Sequence, residues 1–239
     1  MLKLYLMEAE PLFDAENRAR AQKLVEKERS RRAAEGKQES AQALSLAAGL
    51  LLAYAVLQAE KQAAGGEASC ECKEEKINPV YVSVEEAIAE LQGRNPVEIV
   101  KAPGGKPSLP DSRGLFFNLS HSGAYAACAI SDREVGLDIQ QCKKAVRPAV
   151  LDRVLHETEK DSCAKLYEEE KTAFFFKLWA AKEAYAKCTG EGLAKRFSAL
   201  LADWKGGSVT DTEKGTRRKL YPAEAPAGYV IAVCTEIKI

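Results

Sequence analysis

Histidine is almost missing from this 239-residue chain: there are two, His121 and His156, and they stand far apart. Of the seven cysteines, Cys70 and Cys72 form a Cys-x-Cys pair, yet no second pair follows at zinc-ligand spacing. A structural zinc module is not supported, and an odd set of thiols reads as reduced and mostly structural. Net charge is absent too. The 35 Lys and Arg balance 35 Asp and Glu, which argues against the global positive excess of a nucleic-acid-binding protein and makes any anion site local. No apolar run reaches the ~20 residues that cross a bilayer. The longest, Ala43 to Leu57, reads as a buried helix, so no membrane partner is expected. Met1-Leu2-Lys3-Leu4-Tyr5-Leu6 has no charged leader, apolar core and small-residue cleavage site, and the expected location is cytoplasmic.

What is present alternates between strand and helix patterns. A strand over Leu2 to Met7 leads to a charged helix from about Asp14 to Ala34, loaded toward its end with Lys23, Lys27, Arg29, Arg31, Arg32 and Lys37. That run fits either a solvated face or an anion-binding edge. Ser40 to Leu57 reads as a central apolar helix. Gln58 to Asn78, with Ala63-Ala64-Gly65-Gly66 and a Glu/Lys run, reads as a mobile linker. A helix over Val84 to Gln92 and a short strand near Val97 to Val100 precede a Gly-Pro loop. Strands follow at Leu115 to Leu119, Ala124 to Ser131 and Val135 to Ile139, then helices at Arg147 to Leu155, Glu157 to Glu169 and Lys171 to Cys188, and a last strand at Gly228 to Ile237. This order predicts an α+β protein of two halves, since strands and helices come in separate runs.

Three segments carry chemistry. In Val135-Gly136-Leu137-Asp138-Ile139-Gln140 the alternation of a strand puts Gly136, Asp138 and Gln140 on one face. That face is either in water, as on an edge strand, or a place where a carboxylate and an amide sit side by side. In the helix Phe174 to Lys187, positions four apart make Trp179, Glu183 and Lys187 one stripe. A surface ion pair is the ordinary reading of Glu183 and Lys187, but Trp179 and three consecutive phenylalanines argue for partial burial. In Asn118-Leu119-Ser120-His121-Ser122-Gly123 a strand ends in small donors and an imidazole. Ser120 and His121 point to opposite faces and make a poor nucleophile and base, so a serine hydrolase ranks lowest. They fit better as donors to a phosphate, with a turn histidine as the plain alternative.

Together, Asn-Leu-Ser-His-Ser, Gly-Leu-Asp-Ile and Leu-Trp-x-x-Lys-Glu-Ala, in this order, resemble the motifs of the Sfp-type 4'-phosphopantetheinyl transferases, the surfactin-synthetase-activating group. The likeness is strongest from Gly105-Lys106-Pro107 to Gly192, moderate over Met1 to Leu57 and absent from the 58–78 stretch. The resemblance implies two similar α+β halves related by a pseudo-twofold, here about 1–132 and 133–239, with a cofactor cleft between them and a monomeric state. It implies transfer of phosphopantetheine from coenzyme A to a serine of an acyl or peptidyl carrier protein, with release of adenosine 3',5'-bisphosphate. By the same likeness Asp138 and Glu183 would hold Mg²⁺, with Gln140 as a further ligand directly or through water, since Mg²⁺ takes a few carboxylates beside phosphate oxygens. Glu183 would be the base, Lys187 would neutralise the pyrophosphate, and Ser120 and His121 would contact phosphate. Lys106 and Pro107 would lie along the adenosine and its 3'-phosphate, with Lys27 and Arg31 near that same phosphate.

The chain departs from the pattern where many members carry a second acid, here Gln140, and where an arginine is common, here Leu44. The first removes a negative charge from the metal site and the second removes part of the 3'-phosphate grip. These departures motivate an alternative of the same fold, a protein that binds coenzyme A or carriers with weak or no turnover.

Overall fold

In the computed structural model, residues 1–35, 38–65, 76–101, 105–110, 114–142, 146–192 and 196–237 are described. Lys37, Pro103, Gly104, Cys70, Cys72 and the 66–75 part of the expected linker lie outside them. The chain forms two units, Met1–Lys73 with Pro79–Asp132, and Glu74–Asn78 with Arg133–Ile239. Helices and sheets coexist in both, so the class is α+β.

The first unit starts with β1 (Leu2–Glu8) and a 3-10 turn (Glu10–Phe13), then α1 (Ala15–Leu24), α2 (Lys27–Glu35) and α3 (Glu39–Ala64). Asp14 starts α1 by accepting from the backbone N–H of Glu16 and Asn17, both at 3.0 Å. One helix was expected over 14–34; the chain instead turns extended at Val25, with φ −101° and ψ 162°, and makes two. The expected linker from 58 is also corrected in part, because α3 continues through Ala64 to its cap at Gly65. Then come β2 (Val80–Tyr81), α4 (Val84–Leu91), β3 (Val100–Lys101), β4 (Pro107–Ser108), β5 (Phe116–Ser122) and β6 (Tyr125–Ser131). The sheet runs β2-β1-β6-β5, with β1 and β2 parallel and the rest antiparallel. α3 packs across it, burying Leu46, Leu50, Leu51 and Leu57 against Phe117 and Ile130. By length and composition α3 is able to cross a bilayer, and 67% of its most apolar stretch is buried inside the protein.

The second unit consists of β7 (Val135–Gln141), α5 (Pro148–Val154), α6 (Glu157–Ala164), α7 (Glu168–Thr189), a 3-10 turn (Phe197–Ala199), β8 (Leu200–Asp203), β9 (Ser208–Asp211), β10 (Thr216–Ala223) and β11 (Tyr229–Thr235). The sheet order is β7-β11-β10-β9-β8, antiparallel throughout. α7 lies over β7 and β11 and is stopped by Gly190 in the left-handed region at φ 76°. Its core side carries Phe175, Leu178, Ala181, Ala184 and Tyr185, packed with Leu200, Val209 and Ala232.

Candidate active site

The site forms where α7 crosses β7, and a glycine permits the crossing. A Cβ on Gly136 would fall 1.9 Å from the carbonyl oxygen of Ala184 and 2.3 Å from the amide nitrogen of Cys188. Both are backbone atoms, so no side-chain rotation could make room. With glycine in place, the polar face of β7 is covered by helix, and Asp138 is 2% exposed. β7 is an edge of its sheet, yet its polar face is not in water.

Asp138 is gripped at both oxygens. Lys187 donates to Oδ1 at 2.6 Å and also to the carbonyl of Leu137 at 3.0 Å. The Gln140 amide donates to Oδ2 at 2.7 Å. Residues 138, 140 and 187 are therefore one cluster. Glu183, one helical turn before Lys187, is half-buried beside it. Burial pushes its carboxyl above the usual range, the negative charge of Asp138 pushes the same way, and Lys187 opposes both. Glu183 also faces a cavity of about 490 Å³ lined by Val150, Val154, Trp179 and Phe197, with Arg153 and Arg196 among its polar walls. Trp179 stands edge-on to Phe197, with ring centroids 6.0 Å apart.

The donor set suits a hard cation. Two carboxylates that feel each other's charge, plus an amide oxygen left over once the Gln140 N–H₂ has gone to Asp138, match the oxygen ligands magnesium accepts beside phosphate and water. Among the described residues no cluster of three or more His, Cys, Asp or Glu side chains is placed to hold a metal unaided. The residues thus fit an ion that shares its shell with a substrate.

The remaining candidates belong to the first unit. On β5, Ser120 is buried and His121 exposed, as alternating strand positions require. The hairpin that follows turns through Gly123 at φ 58°. Pro107 opens β4, with Lys106 just before it. Lys27 is the exposed first residue of α2. Arg31 is tied to Glu28 at 3.0 Å and Glu35 at 2.8 Å, an exposed pairing that occupies its guanidinium. Arg29, noted in the sequence only as one of the basic run, reaches from α2 to α3, where it donates to the carbonyl of Ser45 at 3.1 Å. Its Nε is buried without a hydrogen-bond partner. Gly49 makes room for it, since a Cβ there would meet Arg29 Cδ at 2.6 Å.

Sequence reasoning assigned no role to Lys182, although it stands in the Leu-Trp-x-x-Lys-Glu-Ala motif, or to Glu159; the two form a buried ion pair behind the cavity. Lys182 stands between Ala181 and Glu183, where a lysine on a helix looks like any solvated charge, and its partner lies on α6. The flanking Ala180-Ala181 and Ala184 were the one available signal.

Residues 134–234 match the family model described as the 4'-phosphopantetheinyl transferase superfamily. The chain is similar to the 4'-phosphopantetheinyl transferase Sfp of Bacillus subtilis (strain 168), at 31% identity over 133 residues, 54% of this chain and 59% of that one. It is similar to psf-1 of Bacillus pumilus, a 4'-phosphopantetheinyl transferase, at 33% identity over 140 residues, 55% and 57% of the two chains. With the 4'-phosphopantetheinyl transferase HetI of Nostoc sp. it shares 38% identity over 96 residues, 38% of this chain and 40% of the relative. The chain therefore spans 59% or less of the length of these three relatives.

Proposed function

From its likeness to the 4'-phosphopantetheinyl transferase superfamily over residues 134–234, we propose that this chain is an Sfp-type 4'-phosphopantetheinyl transferase that moves the 4'-phosphopantetheine arm of coenzyme A onto a serine of an acyl or peptidyl carrier protein. The observation that carries this reading is the gathering of Asp138, Gln140, Glu183 and Lys187 at one point from β7 and α7, beside a cavity that Glu183 faces. Carboxylates and an ammonium so arranged are equipment for a diphosphate and a hydroxyl.

Asp138 and Glu183, with the Gln140 amide oxygen, would hold Mg²⁺, which when bound supplies Lewis-acid polarisation of the phosphate oxygens. Glu183 takes the proton of the carrier serine as its oxygen attacks the β-phosphorus. The new P–O bond forms as the bond to the other phosphate breaks, and adenosine 3',5'-bisphosphate departs. Lys187, held at Asp138 in the structure, lies one turn from Glu183, where it can offset the charge that gathers on the leaving phosphate. Ser120, His121, Lys106, Pro107 and Lys27 are assigned to the nucleotide and its phosphates on the family likeness. Arg31 is assigned there too, although using it means opening its pairs with Glu28 and Glu35. We place the reaction in the cytoplasm, carried out by a monomer.

The test is intact mass spectrometry of several apo carriers incubated with coenzyme A and Mg²⁺. One phosphopantetheine should be added per carrier, and Glu183→Gln should slow the addition by about 100-fold or more, the scale of a lost general base. Unchanged turnover in that variant would remove Glu183 from its role. Tight coenzyme A binding with no mass gain on any carrier would favour a binding protein.

A further inference from the structure

The cavity beside Glu183 is made by three stretches of chain: α5 with Val150 and Val154, α7 with Trp179 and Glu183, and the 3-10 turn with Phe197. All three meet at one atom. Lys182 Nζ, itself on α7, donates to the carbonyl of Val154 at 2.7 Å and to that of Phe197 at 3.2 Å. Its third hydrogen bond goes to Glu159 Oε2. An ammonium has three donors, so the set is complete. Glu159 is equally engaged, since Oε2 also accepts from the His156 backbone N–H at 2.8 Å and Oε1 from that of Ala202 at 2.8 Å.

The pair is dry, with Lys182 at 0% and Glu159 at 4% exposure. Taking these charges out of water is costly, and apolar side chains of the same volume would often serve stability as well or better. What apolar side chains could not do is tie two backbone carbonyls from different segments to a third helix.

We propose that the Lys182–Glu159 pair is a positioning device for carrier binding, which fixes the separation of the cavity walls by pinning Val154 and Phe197 to the helix that carries Glu183. The proposal rests on the transferase reading for the identity of what enters the cavity, whereas the pin itself does not. Glu183 keeps its place when the pin is lost, because α7 remains seated on β7 at Gly136 and Lys187 remains bonded to Asp138. The walls do not. Loss of the pin therefore acts on carrier binding more than on the chemical step.

Lys182→Met alone strands a buried carboxylate and can unfold the unit, so the informative variant pairs it with Glu159→Gln. Trp179 lines the cavity, and Trp204→Phe makes it the sole tryptophan. In that background the paired variant is expected to keep the parent's circular dichroism and to expose Trp179 to acrylamide more strongly. Its KM for apo carrier should rise about tenfold, with kcat and the KM for coenzyme A within about twofold of the parent. A folded variant whose quenching and carrier KM match the parent's would overturn the proposal. So would a paired variant that does not fold, since the pair would then hold the unit together rather than shape the cavity. A parent that transfers nothing would count against the proposed function alone, because the quenching comparison needs no turnover.

Discussion

Thiol chemistry in this chain follows burial. Cys128 and Cys234 are fully buried, and loss of water pushes both thiols up, Cys234 further through Cys188. Cys163 and Cys188 are nearly as enclosed, whereas Cys142 is half-exposed. Only the thiolate reacts. Among these five, maleimide labelling of the folded protein followed by peptide mass analysis should therefore modify Cys142 first, and Cys128 and Cys234 only on unfolding. Burial also raises Cys142, against a smaller pull from Lys177, so its labelling should go on speeding up as pH rises past the ordinary thiol range. Equal labelling of Cys142 and Cys128 would contradict the packing. Residue by residue, the sequence showed Asp138, Gln140, Glu183 and Lys187 because they sit in short, regularly spaced motifs, so alternation and helical turn place them on shared faces. The burial and partners of Lys182, Glu159 and Arg29 were not legible, although Lys182 stands in the helix motif and Arg29 in the basic run. Each looks like an ordinary surface charge, and what distinguishes them is contact with residues remote in sequence or burial that no local pattern records.

Among the elements, the β7–α7 crossing depends on a single missing methyl group. Gly136→Ala is expected to cost about 3 kcal/mol, the upper part of the usual overpacking range, since the added carbon meets main-chain atoms. Urea melts monitored by circular dichroism would read this as a lower midpoint at unchanged slope, and a midpoint equal to the parent's would refute the close approach. The sequence located β7 and α7 within a few residues, because apolar periodicity and the Gly190 stop are both strong local signals. The break between α1 and α2 escaped it, since neither Gly nor Pro marks Val25. The split between α6 and α7 also fell earlier than expected. Tyr167, whose backbone N–H donates to Glu170, opens the new helix, and that cap is visible only in three dimensions. Strands β8 to β10 were missed for a different reason. They are short or carry runs such as Thr216-Arg217-Arg218-Lys219, where charge hides the alternation, and their identity comes from successive pairing, β8 with β9, β9 with β10 and β10 with β11.

At the scale of the molecule, each unit has its own buried apolar cluster, one centred on α3 and one on α7. The second unit closes its acidic site with groups of its own, since Lys187 and Gln140 already satisfy Asp138. A divalent ion is thus not needed to hold the fold. Chelation with EDTA is expected to stop transfer while leaving the melting temperature within about 2 °C, because a weakly bound ion adds little stability. Added Mg²⁺ should then restore transfer. A large drop in melting temperature would mean that the ion has a structural role.

Trp179, Lys182, Glu183 and Lys187 all ride on α7, a single rod of 22 residues. Inserting or deleting one residue between them would swing every later group about 100° around the axis. Such an event would part aromatic wall, pin, base and ammonium in one stroke. The length of this stretch is thus as tightly constrained as its chemistry, and variation there has to proceed by exchange of side chains.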